Sequence, residues 1–231
     1  MINFKKYGKR CLSLFLAASM ILMPAVQIFA EEETAAATTD STQTAEEDRE
    51  TQRQNCYAIV PDSNSVENWP QGPATYADSA IVMDMNSGAV LYSKQIEKKH
   101  YPASITKLLT TLVALDNAEL TDTVEFSQDS ISFLEYGDAH IGMTPGEQIS
   151  MEDALYAVLL ASANEVSYAV AESVGKKMGG GYDTFIQAMN DESEKLGCTG
   201  SHWTNANGLH DEQHYTTAHD MARIGAAVYQ K

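Results

Sequence analysis

The chain has 231 residues, of which 15 are Lys or Arg and 32 are Asp or Glu, for a formal net charge of −17. So acidic a surface repels phosphate backbones and excludes nucleic acid as a partner. Its three cysteines are too few for a disulfide framework.

Lys5, Lys6, Lys9 and Arg10 precede an apolar run from Cys11 to about Met23, then Pro24 and a cleavage context after Ala30. That is the layout of a secretory signal peptide over residues 1–30, although Ile28 stands where a small residue is preferred. An uncleaved membrane anchor is the alternative, and both readings predict export. Residues 31–50, EEETAAATTDSTQTAEEDRE, hold no core former beyond alanine. They cannot bury enough surface to offset their chain entropy, so 31–68 is expected to be a disordered acidic linker, with folding from Trp69 to Lys231. Cys56 falls in that linker, so Cys56 and Cys198 are expected to be unpaired.

SAIVMDMNSGAVLYSKQ predicts strands over 79–84 and 89–93, joined by a turn at Asn86-Ser87-Gly88. In YPASITKLLTTLVALDN, residues 101–117, Leu108, Leu109, Leu112, Val113 and Leu115 recur at helical spacing. A polar stretch with turn signals at Gly137, Gly142 and Pro145-Gly146 leads to Ser150 and Asp153, a capping box for the helix MEDALYAVLLA. Helices follow over about 165–177, ending in Gly179-Gly180-Gly181, and over about 183–196, ending at Gly197. The loop TNANGLHDEQHYT then leads into an amphipathic stretch over 217–230. One hairpin and five helices, without an internal repeat, make an α+β chain long enough for one core. A lone hairpin is marginal, so the sheet side lacks partners.

Ser104 and Lys107 stand three residues apart at a helix start, hence on one face. A serine hydroxyl becomes a useful nucleophile only when a base takes its proton, and a lysine serves only if burial populates its neutral amine. The pattern is weak alone, since Ser104 could simply begin the helix. A second copy, Ser173 and Lys176, falls at a helix end beside glycines and reads as solvated surface. Ser162-Ala163-Asn164 adds a polar break between two apolar helices, whose groups must either cap the second helix or face a cleft. In the functional reading the Ser162 hydroxyl passes protons while Asn164 holds Lys107 and a substrate carbonyl.

YPASITKLLT, then SAN, then FIQAMNDESEKLGC and TNANGLHDEQHYTTAHDMARI, resemble the serine-type D-alanyl-D-alanine carboxypeptidases, the low-molecular-mass penicillin-binding proteins, from about Ala77 to the last residue. The resemblance implies a penicillin-binding-protein/β-lactamase-like (DD-peptidase) fold, with a helical subdomain and an N-terminal β-hairpin. It makes Ser104 the acylated nucleophile, Lys107 its base, and Ser162 and Asn164 the second motif, with no cofactor and no metal. It also implies the peptidoglycan pentapeptide ending in D-Ala-D-Ala as substrate and β-lactams as covalent inhibitors. The place of action would be the cell wall or the outer face of the cytoplasmic membrane. The third motif of that family, Lys-Thr-Gly, does not occur: Lys6-Tyr7-Gly8, Lys177-Met178-Gly179 and Lys195-Leu196-Gly197 all lack the middle threonine. The fold is therefore expected to be incomplete at the C-terminus, and an inert remnant or muropeptide-binding protein is the alternative reading. Membrane association is expected only through an uncleaved leader or a further amphipathic helix.

Two other chemistries fit less well. His210, His214 and His219 superficially suggest zinc, but a zinc helix needs glutamate directly after the first histidine, and this segment reads as a loop. A class A β-lactamase would carry Ser-Asp-Asn where this chain has Ser-Ala-Asn.

Overall fold

The computed structural model describes residues 32–231; the stretch 1–30, expected to be a signal peptide, lies outside them. The chain divides after Asp48 into two compact units, and the second, Arg49–Lys231, holds every element from the end of the first helix onward. That helix, α1, runs from Glu32 to Ala58, where a disordered linker was expected. Composition speaks to core formation and says little of local propensity. Alanine, glutamate, glutamine and arginine are strong helix formers, and Glu50 adds a hydrogen bond from Gln54 and an ion pair with Arg53.

Order also begins well before Trp69. Arg53 lies 4.9 Å over the Tyr76 ring and Tyr57 packs on the same ring at 4.6 Å. The fully buried Lys94 amine donates to the carbonyls of Cys56, Thr75 and Ala77 at 2.6, 2.8 and 2.7 Å. A buried ammonium must find acceptors, and these three lie 17 to 38 residues away. Composition of the linker could not reveal that requirement. The carboxylate of Asp62 accepts from Gln95 N, and Asn64 pins Gly72 through both its amide atoms.

Strands β1 (Ala80–Met83) and β2 (Val90–Lys94) form the expected antiparallel hairpin, pairing Ala80 with Lys94 and Val82 with Tyr92, with a register shift at Val82/Met83. Asp84 closes its turn by accepting from Ser87 N and Ser87 Oγ, and Gly88 supplies a positive φ. Helix α2 (Thr106–Asn117) is the hub of the core, with Leu109, Leu112, Val113 and Ala114 almost wholly buried. Each such leucine contributes roughly 1.5–3 kcal/mol of burial.

A second small antiparallel pair, β3 (Thr123–Glu125) with β4 (Gln148–Ser150), was not expected. Three-residue strands carry too little alternation to be seen in sequence. The short α3 (Asp129–Ser132) lies between them. Helices α4 (Met151–Leu160), α5 (Asn164–Lys177), α6 (Tyr182–Lys195) and α7 (Ala218–Tyr229) surround α2. Ser150 caps α4 by accepting from Asp153 N, as its spacing predicts. Strand β1 rests on α7, which gives the first hairpin its support. A Cβ on Gly175 would stand 2.0 Å from the Gly181 carbonyl oxygen, so only glycine lets the end of α5 meet the start of α6. Cys56 and Cys198 are both free thiols. Among the described residues no helix is long and apolar enough to cross a membrane.

Candidate active site

Ser104 does not lie in the first α-helical turn. Pro102 is followed by Ala103 at φ 49°, then a 3-10 turn over Ala103–Ile105, and α2 begins only at Thr106. A non-glycine residue in the left-handed region is strained and needs support. That support comes from elsewhere in the chain. His100, just before the turn, exchanges backbone hydrogen bonds with Thr216 in both directions, at 2.8 and 2.9 Å. On the other side Gly208, itself at φ 86°, packs directly on the Ala103 carbonyl, where a Cβ would fall 1.9 Å from the oxygen. A groove of 310 Å³ flanks the turn, lined by Tyr101, Pro102 and Ile105 and, across it, by Thr216, Thr217 and Met221.

Lys107 is 2% exposed. Its Nζ lies 2.7 Å from the Asn207 carbonyl oxygen, 2.8 Å from Asn164 Oδ1 and 3.3 Å from Ser104 Oγ. Burial pulls its pKa from 10.5 down to about 8, against the opposing pull of the Glu165 and Asp138 carboxylates. The geometry then decides what the neutral amine does. A neutral amine keeps two N–H groups and gains a lone pair, whereas the carbonyl of Asn207 and the amide oxygen of Asn164 can only accept. The two N–H groups therefore stay on those acceptors, and the lone pair points at the Ser104 hydroxyl, the one of the three with a proton to give.

Asn164 reaches this position because it opens α5 without capping it: Ala163 is the N-cap residue and offers no side-chain bond, and Asn164 N donates to Ala139 O. Ser162 sits on the same polar break at φ 54°, but Lys107 Nζ makes none of its three hydrogen bonds to it. Ser104 and Asn164 thus meet at the Lys107 amine, whereas Ser162, two residues before Asn164, is not bonded to it. Asn207 is a participant that sequence reasoning missed, since its backbone carbonyl acts and its side chain does not. The nearest signal was Asn207-Gly208, read only as a loop.

That loop is held on several sides. Thr110 Oγ1 donates to Ala206 O at 2.7 Å, Tyr182 OH accepts from Ala206 N at 3.1 Å, and Asn205 Oδ1 accepts from Gly208 N at 2.7 Å. Burial pushes the Tyr182 phenol up to about 12, which keeps it neutral there. His214, 2% exposed, ties the loop to α2. Its Nδ1 accepts from Thr204 N at 3.0 Å, so Nε2 carries the proton and donates to Thr106 Oγ1 at 2.8 Å. His210 instead packs edge-on against Tyr101 at 4.6 Å. Among the described residues no three His, Cys, Asp or Glu side chains converge as a metal site would require. In the second Ser-x-x-Lys copy, the Lys176 amine pairs with Glu172 at 3.1 Å near the surface.

His214 makes stability depend on pH. Burial lowers its pKa to about 4 from an ordinary 6.5, so the unfolded chain binds the extra proton between those values. Its contribution is complete above about pH 6.5 and is lost as pH falls toward 4. The loss is on the order of 3 kcal/mol. Urea denaturation of wild type and His214→Gln between pH 7 and 4 checks this: the two stabilities should converge on acidification, and a constant gap would contradict it.

Comparison with known proteins places the chain in a family. Residues 66–231 match the Peptidase S11 family, described as D-alanyl-D-alanine carboxypeptidase. The chain is 34% identical over 151 residues to the D-alanyl-D-alanine carboxypeptidase DacF of Bacillus subtilis, covering 63% of this chain and 37% of that protein. It is 31% identical over 180 residues to DacC of Escherichia coli, covering 74% of this chain and 44% of DacC. Among solved structures it resembles penicillin-binding protein 5 of Haemophilus influenzae, with TM-score 0.63 and 28% identity over 70% of this chain and 47% of the other. A D-alanyl-D-alanine carboxypeptidase of Mycobacterium tuberculosis gives TM-score 0.61 and 31% identity over 75% and 61%. The fold is the α+β arrangement of the penicillin-binding proteins, as the sequence led one to expect. The chain spans less than half the length of the two curated relatives.

Proposed function

The chain belongs to the Peptidase S11 family of D-alanyl-D-alanine carboxypeptidases, and from that premise we propose that it is a serine-type carboxypeptidase acting through Ser104 and Lys107. The observation that carries the reading is the buried Lys107 amine, held on two acceptors so that its third direction meets Ser104 Oγ. Ser104 Oγ attacks the carbonyl carbon of the penultimate D-Ala of a peptidoglycan stem peptide, and its proton passes to Lys107 Nζ. The Ser104 backbone N–H faces the developing oxyanion. The C–N bond then breaks, the leaving amine takes the proton back from Lys107, directly or through Ser162, and D-Ala departs. Water hydrolyses the Ser104 ester and releases the shortened peptide.

Asn164 holds the substrate carbonyl as well as Lys107. A β-lactam enters by the same attack, and ring opening leaves it on Ser104 as an ester. The reading includes export by residues 1–30 and action in the cell wall or at the outer face of the cytoplasmic membrane, which the basic and apolar leader supports.

The test is release of D-alanine from diacetyl-L-Lys-D-Ala-D-Ala, together with intact mass after incubation with benzylpenicillin. One adduct mapping to Ser104 and D-Ala release abolished by penicillin are expected. A compact, helical chain that gives neither overturns the proposal and favours a muropeptide-binding remnant.

A further inference from the structure

Glu165 follows Asn164 in the first turn of α5 and is wholly buried. One carboxylate oxygen accepts from Ile141 N at 2.7 Å, and the other is buried without a partner. Burying a carboxylate with half its acceptors idle is expensive, and an apolar residue could have filled the space. Together with Asn164 N donating to Ala139 O, the Ile141 bond pins segment 139–141 against the start of α5, beside the amide that holds Lys107.

Lys107 has three acceptors and all are neutral, so none supplies charge when it becomes an ammonium. Two carboxylates act on it electrostatically, Glu165 from α5 and Asp138 from the segment before β4. Asp138 is only half-buried and its Oδ2 already accepts from Glu135 N, so water and that bond moderate its charge. The loop bearing Asn207 contributes a carbonyl to Lys107 but no charge.

Resting on the proposed carboxypeptidase function, we infer that Glu165 is a positioning residue of the reaction: its buried carboxylate braces segment 139–141 and provides the negative charge opposite Lys107 once the amine has taken the serine's proton. The idle oxygen is then the consequence of a charge kept for its field at Lys107, with the other oxygen sufficient for the brace.

The experiment is NMR titration of the Lys107 side chain in 13C-lysine-labelled full-length chain, assigned by its loss in Lys107→Arg. Glu165→Gln keeps the acceptor for Ile141 N and removes the charge. The Lys107 midpoint should fall by about one pH unit in Glu165→Gln, and stay near the wild-type position in Glu165→Asp. A brace without an electrostatic role would leave the midpoint where it was, and that result overturns the inference.

If neither variant folds, wild type decides: the Glu165 carboxyl carbon should show an inflection where Lys107 titrates, because coupled charges report on each other. A flat response there also overturns it. A shifted midpoint without any penicillin adduct would sink the proposed function, and with it the role of Glu165 in the reaction, leaving only its charge coupling to Lys107. An adduct with an unshifted midpoint would do the reverse.

Discussion

Ser104→Ala should abolish the covalent benzylpenicillin adduct, and Lys107→Ala should slow its formation by about 10²–10⁴-fold, the usual worth of a positioned general base. The first effect is absolute because, among the described residues, Ser104 Oγ is the only hydroxyl hydrogen-bonded to the Lys107 amine. The second follows from the directions around Nζ: with its N–H groups on Asn164 Oδ1 and Asn207 O, the neutral amine has its lone pair toward the serine. Lys107→Arg retains positive charge but cannot accept a proton at any working pH, so it falls with the alanine variant.

The pH dependence has a definite sign. With a pKa of about 8, Lys107 is mostly an ammonium below that value and mostly a base above it. Acylation should therefore rise with pH through about 8 and level off beyond. Rates of adduct formation by stopped-flow or mass spectrometry from pH 6 to 10 check this. An adduct that survives Ser104→Ala, or a rate that falls as pH rises through 8, would remove the pair from the mechanism.

Gly208→Val is expected to damage both stability and the site. Its φ of 86° alone penalises a side chain by about 1–2 kcal/mol. A Cβ there would also fall 1.9 Å from the Ala103 oxygen, 2.4 Å from its carbonyl carbon and 3.0 Å from Ser104 N. All three are backbone atoms and cannot swing aside, so overpacking adds about 1–3 kcal/mol. Relief requires the loop to lift, which carries the Asn207 carbonyl away from Lys107 and frees the strained turn that holds Ser104. Gly179→Val is the control, for Gly179 has φ 91° and nothing within 4 Å of its missing Cβ. Urea midpoints should show Gly208→Val the less stable of the two by several-fold in free-energy loss, with penicillin acylation lost in that variant alone. Equal losses would mean that only backbone strain matters at Gly208.

Several features were legible in local sequence because they rest on neighbours a few residues apart. The first hairpin follows from Asp84 and Ser87 closing a turn between apolar strands, and α4 from Ser150 accepting from Asp153 N. The apolar spacing of Leu109, Leu112 and Val113 put one face of α2 in the core. Ser104 and Lys107 could be paired on paper because three residues is one turn, whether 3-10 or α. Local reasoning failed where propensity and composition pointed apart, as in α1, and where strands were too short to show a period, as in β3 and β4.

Sequence by itself determined the helical subdomain, the hairpin and the identity of a serine and a lysine within reach of each other. Only the tertiary structure decided what that lysine is. Asn164 lies 57 residues away and Asn207 100 residues away, and neither contact follows any local rule. The chain must fold for those acceptors to converge, for burial to lower the amine's pKa, and for Gly208 to press on Ala103 and hold the nucleophile's turn. A base's strength and direction come from desolvation and from fixed acceptors, and both exist only once distant segments have packed.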